Sequence, residues 1–354
     1  MSCSRREFAK SMAAAGSLAA MPVFWSTACR RTDPSSTRYD LLVYGTTPGG
    51  VACAVRAARE GLKVLMISHN DRVGGMLTSG LGVWDTLYEG YRSPIYNELR
   101  QSFFDHYRTH FGEDSEAYKR ALPGESGHNN GTFEAHVAEK YVNEMVAGEK
   151  NITVLFNHYP SAAGVEGREI RTLTLKKRHG RGSREVKALY FADCSYEGDL
   201  MKVAGLRYRV GREAKAEFNE AHAGKVFMRP LKQDPRPGSR ESRIFSNLKI
   251  RHFGGHQEIL YPESTHEGDN NVQAYNMRYY ITDDAENQIS IEPSSGYDPG
   301  YLSTLEFAIG GEMKPNRKLG TNRPQLVGMH QDYVEGDWET RQDVIDEHLS
   351  LIHI

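Results

Sequence analysis

Residues 39–67 read YDLLVYGTTPGGVACAVRAAREGLKVLMI. Tyr39–Tyr44 is a short apolar run, Gly49–Glu60 is alanine-rich and helix-like, and Leu62–Ile67 is a second apolar run. Strand, helix and strand in about thirty residues are the size of a βαβ unit. The turn between the first strand and the helix is Gly45-Thr46-Thr47-Pro48-Gly49-Gly50. Glycines there make a tight turn, and the N–H groups of the helix N-terminus then face a phosphate. Gly45 and Gly50 fill the first and third positions of G-x-G-x-x-G, and Thr47 stands at the second. The acidic residue that ends the second strand and binds a ribose in NAD sites is replaced by Ser68. A hydroxyl bonds a ribose less strongly than a carboxylate, which points away from a tightly held NAD. A flavin dinucleotide spreads its grip over more contacts.

Directly after the βαβ unit comes Arg72-Val73-Gly74-Gly75-Met76-Leu77-Thr78-Ser79-Gly80. It resembles the double-glycine motif of large FAD enzymes. There the glycines let the loop pass close to the flavin and the hydroxyls bond ribityl and pyrophosphate oxygens. A third motif, Tyr190-Phe191-Ala192-Asp193-Cys194-Ser195-Tyr196-Glu197-Gly198-Asp199-Leu200, stands where flavoproteins end a later strand near the cofactor. With Gly131–Glu134, Val210–Ala214, Val272–Arg278 and Gly296–Pro299, the ordered series over 39–345 resembles the FAD-dependent oxidoreductases of secreted bacterial proteins sometimes labelled xanthan-lyase-like. The resemblance implies FAD as cofactor and redox chemistry, and it identifies no substrate; the expected reaction is hydride transfer to the flavin from an organic substrate, a carbohydrate-derived one among the candidates. It implies cofactor contacts at Gly45, Thr46, Thr47, Pro48, Gly49, Gly50, Ser68, Arg72, Gly74, Gly75, Met76, Thr78, Ser79, Gly80 and Asp193. It names no catalytic base. Two further readings are a polysaccharide lyase-like carbohydrate-active protein, which needs no flavin, and an inactive FAD-domain fragment.

The fold expected is α/β: a Rossmann-like FAD-binding domain with a parallel sheet over 39–204, then a mixed α+β region over 205–340. Ile95, Leu99, Phe103, Tyr107 and Phe111 mark an amphipathic helix over 93–111; Phe133, Val137, Tyr141 and Met145 mark another over 132–147. A strand at 152–156 and two β-rich segments, 162–178 and 184–193, follow, with His179–Ser183 as the hairpin between the last two. In the family, a long further segment returns to the FAD domain. Nothing after residue 200 reads as that return, so 341–354 is expected to be a truncated end and the FAD domain to be incomplete without it; a complete, shorter family member is the alternative.

The first residues form an address label. Ser4-Arg5-Arg6-Glu7-Phe8-Ala9-Lys10, the apolar stretch Ser11–Trp25 and Ser26-Thr27-Ala28 have the basic head, short apolar body and small-residue end of a signal peptide. The block resembles the twin-arginine export signal, which makes 1–28 the signal, 29–38 a polar linker and the export machinery a partner. Cleavage before Cys29 leaves two readings open: a soluble exported protein, or one lipid-anchored at Cys29. Beyond these, no membrane contact is expected.

Composition bounds the rest. The 354 residues carry 44 Lys+Arg against 46 Asp+Glu, a net charge of −2. Losing 1–28 removes Arg5, Arg6, Lys10 and Glu7, leaving 41 against 45 and a net charge of −4. No basic balance exists for a phosphate backbone, so no nucleic-acid partner is expected. Four cysteines in this length are no disulfide framework. Cys53 reads as a small core residue, and His252 and His256, with Gly254-Gly255 between them, as loop residues and not metal ligands. Tyr196, Glu197 and Asp199 either reach a substrate at the flavin edge or, for the two acids, cap a helix after Gly198. Arg278 reads as one half of a structural ion pair, with a carboxylate clamp as the alternative.

Replacing both Arg5 and Arg6 with Lys keeps the charge and removes the recognised pair. Export should stop while expression continues, as read by cell fractionation; undiminished export of the double-Lys protein assigns the general secretion route instead.

Overall fold

The computed structural model describes residues 38–85, 91–123, 131–230, 251–253, 258–260, 262–272, 278–288, 311–314, 318–321 and 330–352. The signal segment 1–28, Cys29, His256, residues 273–277 and Gly296–Pro299 lie outside the described residues.

The opening stretch folds as strand β1 (Arg38–Tyr44), helix α1 (Pro48–Arg59) and strand β2 (Val64–Ile67). Thr47 caps α1, its hydroxyl accepting from the Gly50 N–H, and Pro48 sits at the first helical position, where its missing N–H costs nothing. Helix α2 (Pro94–Phe111) starts the same way, with Ser93 accepting from the Tyr96 N–H ahead of Pro94. Helix α3 (Glu116–Ala121), which the apolar periodicity did not mark, is capped by Ser115. Helix α4 (Ala135–Gly148) begins later than expected, because Thr132 bridges Val83 in a strand-like pair instead.

Strand β3 (Ile152–Leu155) pairs parallel with β2. The 162–178 segment is not one element. It is β4 (His158–Glu166) and β5 (Glu169–Lys177), folded back at Gly167, whose φ of 63° is left-handed. Strand β6 (Ser183–Asp193) pairs antiparallel with β5 across the His179–Ser183 turn and parallel with β1. One six-stranded sheet results, in the order β3-β2-β1-β6-β5-β4. Its β3-β2-β1-β6 half is parallel and the rest antiparallel.

The period-two alternation of the central strands divides the core. Val43, Val64 and Met66 face α1, α2 and α4, where Val51, Val55, Leu99, Phe103, Phe133 and Val142 fill the space. Leu42, Tyr44, Leu65 and Ile67 face the other way, onto Leu173, Leu175, Val186 and Leu200. Being covered on both faces is why β1 and β2 read as continuous apolar runs.

Past β6, helix α5 (Asp199–Val203) and helix α6 (Lys215–Phe218) are short. Strands β7 (Met228–Pro230), β8 (Arg251–Phe253) and β9 (Glu258–Leu260) form a small antiparallel sheet, and β10 (Tyr279–Thr282), β11 (Gly311–Lys314) and β12 (Lys318–Thr321) another. Helices α7 (His330–Glu335) and α8 (Trp338–Ile352) close the described chain. The boundary expected at 340/341 therefore falls inside a continuous helix. Helix α8 carries Arg341 into a buried contact with Asp199 of α5.

Candidate functional site

The C-terminal ends of β1, β2 and β6 meet at one edge of the large sheet. Gly45 turns with φ 95°, and a Cβ there would sit inside the Cys194 carbonyl. A Cβ on Gly50 would overlap the Gly45 carbonyl oxygen. Glycine is forced at both positions by the close approach of helix, turn and neighbouring strand. Thr47 reinforces the junction: its hydroxyl donates to the Cys194 carbonyl at 2.8 Å while capping Gly50.

Thr46 links this turn to the next loop. Its hydroxyl lies 3.0 Å from Ser68 Oγ and 3.1 Å from the Arg72 carbonyl, and its own carbonyl accepts from the Gly74 N–H at 2.7 Å. Ser68 is fully buried, and its hydroxyl lies 2.9 Å from both Asn70 Oδ1 and the Arg72 carbonyl. The hydroxyl expected to meet a ribose instead fixes the start of the double-glycine loop.

Gly74 and Gly75 both adopt positive φ, at 105° and 53°. A Cβ on Gly75 would strike the Tyr196 hydroxyl, which accepts from the Met76 N–H at 2.9 Å. Tyr196 thus holds the loop rather than standing free at a substrate edge. Thr78 is buried and donates to the Val73 carbonyl at 2.8 Å. Gly80 is buried beside Arg278, whose Cβ a side chain at residue 80 would meet at 2.9 Å. Arg72 pairs with Glu139 at 3.0 Å, while Met76 and Ser79 are exposed. Asp193 accepts from the Ser195 N–H and hydroxyl and from the Met201 N–H, pinning the turn into α5.

The side chains at these strand ends are spent on one another, so what the site offers outward is backbone. Pro48 and Gly49 are exposed at the first turn of α1, and a Cβ at Gly49 would meet only Thr47 Oγ1, at 3.7 Å. An α-helix leaves its first N–H groups without intrahelical partners and carries partial positive charge at that end. This open turn fits the pyrophosphate of a dinucleotide. Beside it lies an apolar cavity of about 400 Å³, walled by Pro48, Gly74, Leu77, Leu81, Trp84 and Tyr96. A more polar cavity of about 530 Å³ lies away from the phosphate turn, between the β5–β6 turn and α8, where Arg178, Arg181 and Trp338 line it.

Asp199 neither caps α5 nor faces a cofactor. Ser195 Oγ accepts from the Gly198 and Asp199 N–H groups in the capping role. The Asp199 carboxylate is buried, 2.7 Å from Arg341 Nη1, and accepts from the Tyr44 hydroxyl at 3.2 Å. Burial, then the Asp199 charge, pushes the Tyr44 phenol well up, so it remains a donor. Arg341 is itself only 1% exposed; it donates to the Tyr333 and Val334 carbonyls and lies over the Trp338 ring. Trp338 stacks on His69, the residue after Ser68, at 4.4 Å between ring centres. These contacts were not legible in the sequence, since an arginine on an amphipathic helix reads as a solvated charge.

Replacing Arg341 with Met should cost about 3–5 kcal/mol in urea unfolding, because it strands a buried carboxylate. Adding Asp199→Asn should recover part of that loss; two independent, additive costs would show that the pair is not coupled. A second expectation follows from His69. Burial first, then the Arg178 and Arg341 cations, brings its pKa down to about 4. Above the unfolded value of about 6.5 both states are neutral. As pH falls from there toward about 4, only the unfolded chain takes up the proton, and stability drops by about 3 kcal/mol. His69→Phe keeps the ring stack and should flatten that part of the pH–stability curve; an unchanged slope would locate the acid sensitivity elsewhere.

The family model described as FAD dependent oxidoreductase matches residues 40–353. Comparison with curated proteins finds no match. Among solved structures, the chain is similar to Thermovibrio ammonificans THI4, with 14% identity and a TM-score of 0.33 over 50% of this chain and 66% of that one. It is similar to the L-proline dehydrogenase from P. horikoshii, with 14% identity and a TM-score of 0.26 over 44% and 22%. It is also similar to the glycerol-3-phosphate dehydrogenase from Bacillus halodurans complexed with FAD, with 12% identity and a TM-score of 0.35 over 64% and 47%. Each match spans less than two thirds of the relative's own length. With a parallel half-sheet built on the βαβ unit and a family match along nearly its whole length, the chain belongs to the FAD dependent oxidoreductase family.

Proposed function

We propose that this chain is an exported oxidoreductase of the double-glycine, xanthan-lyase-like group that oxidises an organic substrate of carbohydrate origin. The observation that supports the cofactor site most directly is the open first turn of α1, where Gly49 is exposed and a Cβ would meet only the Thr47 hydroxyl, at van der Waals distance. When bound, FAD supplies an isoalloxazine ring that takes up a hydride from the substrate.

The chain's part is to bind and orient. The backbone N–H groups of Thr47 and Gly49 would hold the pyrophosphate, and Gly45 and Gly50 let the turn close at this point. The 74–80 loop, kept in shape by Thr46, Ser68, Thr78 and Tyr196 and with Met76 and Ser79 exposed, would line the flavin side of the site. Leu77, Leu81, Trp84 and Tyr96 line an apolar space next to that path and exclude water from it. Residues 39–204 form the cofactor domain and 205–340 the substrate side. Export proceeds through the twin-arginine route with the signal at 1–28, and Cys29 is the site of any lipid anchor. Among the described residues, no helix is long and apolar enough to cross a membrane.

Purified protein reconstituted with FAD should show the absorbance bands of oxidised flavin, bleached by an oxidisable sugar without oxygen. A colourless protein after reconstitution overturns the cofactor site, and flavin that no sugar reduces overturns the substrate class. Gly49→Asp separates binding from folding. The side chain has room, and an acid in the first turn of a helix is favourable. The apoprotein should therefore melt no lower than the parent, while FAD affinity falls about tenfold or more as the new charge faces the pyrophosphate. Unchanged FAD affinity would move the pyrophosphate away from α1.

A further inference from the structure

Two cysteines lie beneath the phosphate turn, and the proposed function uses neither. Cys194 is the residue after β6, and a Cβ at Gly50 would lie 3.2 Å from its Cβ. Its side chain therefore rests on the first turn of α1. Cys53 stands three residues beyond Gly50, one turn further along the same helix face. Both cysteines are half-buried and unbridged, and both pack against the core cluster on the helix side of the sheet. Their thiols are near neighbours, and the contact couples them. It stabilises the Cys53 thiolate and brings its pKa down to about 7, against burial, while the Cys194 thiol is pushed up by its partner. The pair thus holds a thiolate near neutral pH, the form that attacks a disulfide.

We propose that Cys53 and Cys194 form a dithiol–disulfide site that joins α1 to the end of β6 across the cofactor turn. The oxidant is a small-molecule disulfide such as oxidised glutathione. The Cys53 thiolate attacks one of its sulfurs, a mixed disulfide forms, and one glutathione thiolate leaves and takes up the Cys194 proton. Cys194 then attacks the Cys53 sulfur, forming the internal S–S bond and releasing the second glutathione. The two protein thiols lose two electrons, and the oxidant becomes two thiols. The cross-link spans the junction already tied by Thr47 and the Cys194 carbonyl.

The test uses full-length protein equilibrated with mixtures of reduced and oxidised glutathione, followed by alkylation of the remaining thiols and peptide mapping by mass spectrometry. The expected product is a linked pair of peptides carrying Cys53 and Cys194, reversed by dithiothreitol, with no lasting glutathione adduct at either residue. In Cys53→Ser or Cys194→Ser the remaining cysteine should keep its glutathione, because no neighbour resolves it. The proposal is overturned if both thiols of the parent protein stay alkylatable at every ratio, if each carries its own glutathione, or if either links to Cys3 or Cys29. The parent protein alone decides the matter should a serine variant fail to fold.

Discussion

The structure depends on one close approach. The end of β6 lies so near the β1–α1 turn that neither Gly45 nor Gly50 has room for a Cβ, the first against the Cys194 carbonyl and the second against Gly45 itself. This contact seats α1 over the parallel strands and leaves its N-terminus at the sheet edge. Only a residue free of both side-chain volume and the left-handed penalty satisfies Gly45. The burial of Val51, Ala54, Val55 and Ala58 on the sheet follows from that placement.

Around the turn, short polar side chains serve as internal ties. Thr46 and Ser68 bind the first turn to the second loop, Tyr196 binds the second loop to the third, and Asp193 fixes the third to α5. A buried hydroxyl must find a partner, and here the partners are backbone groups of neighbouring loops. The loops are thereby preorganised, and the surface left for a cofactor is main chain and helix dipole. That suits a long anionic dinucleotide, whose binding draws on many weak contacts and no single strong one.

The docking of α8 uses a different device. A buried Arg–carboxylate pair recovers its desolvation cost only when its remaining donors are satisfied. Arg341 meets that condition with two carbonyls from the end of α7 and the rings of Tyr333 and Trp338 near its guanidinium, and Tyr44 completes Asp199. Because Tyr44 is also the last residue of β1, the C-terminal helix is registered against the strand that leads into the cofactor turn. The stack of Trp338 on His69 adds a second contact, at the end of β2.

The sequence alone determined the βαβ unit, the order of the glycine loops and the place of the strand-to-helix turn. Those features rest on local rules: apolar runs covered on both faces, a threonine cap before Pro48, and glycines where backbones must touch. It also located α2 and the β5–β6 hairpin, since periodicity and turn residues lie within a few positions of one another. It passed over the turn at Gly167, where charged flanking residues read as one exposed strand, and over α3, which is too short to show a period. What only the tertiary structure decided is the use of the polar side chains. Ser68, Asp193, Tyr196 and Asp199 all read as groups facing a ligand, yet each is committed to a partner remote in the chain or hidden in a loop. Asp199 and Arg341 are 142 residues apart. Sequence spacing carries no trace of such a pair, because its energy arises only when both charges leave water together.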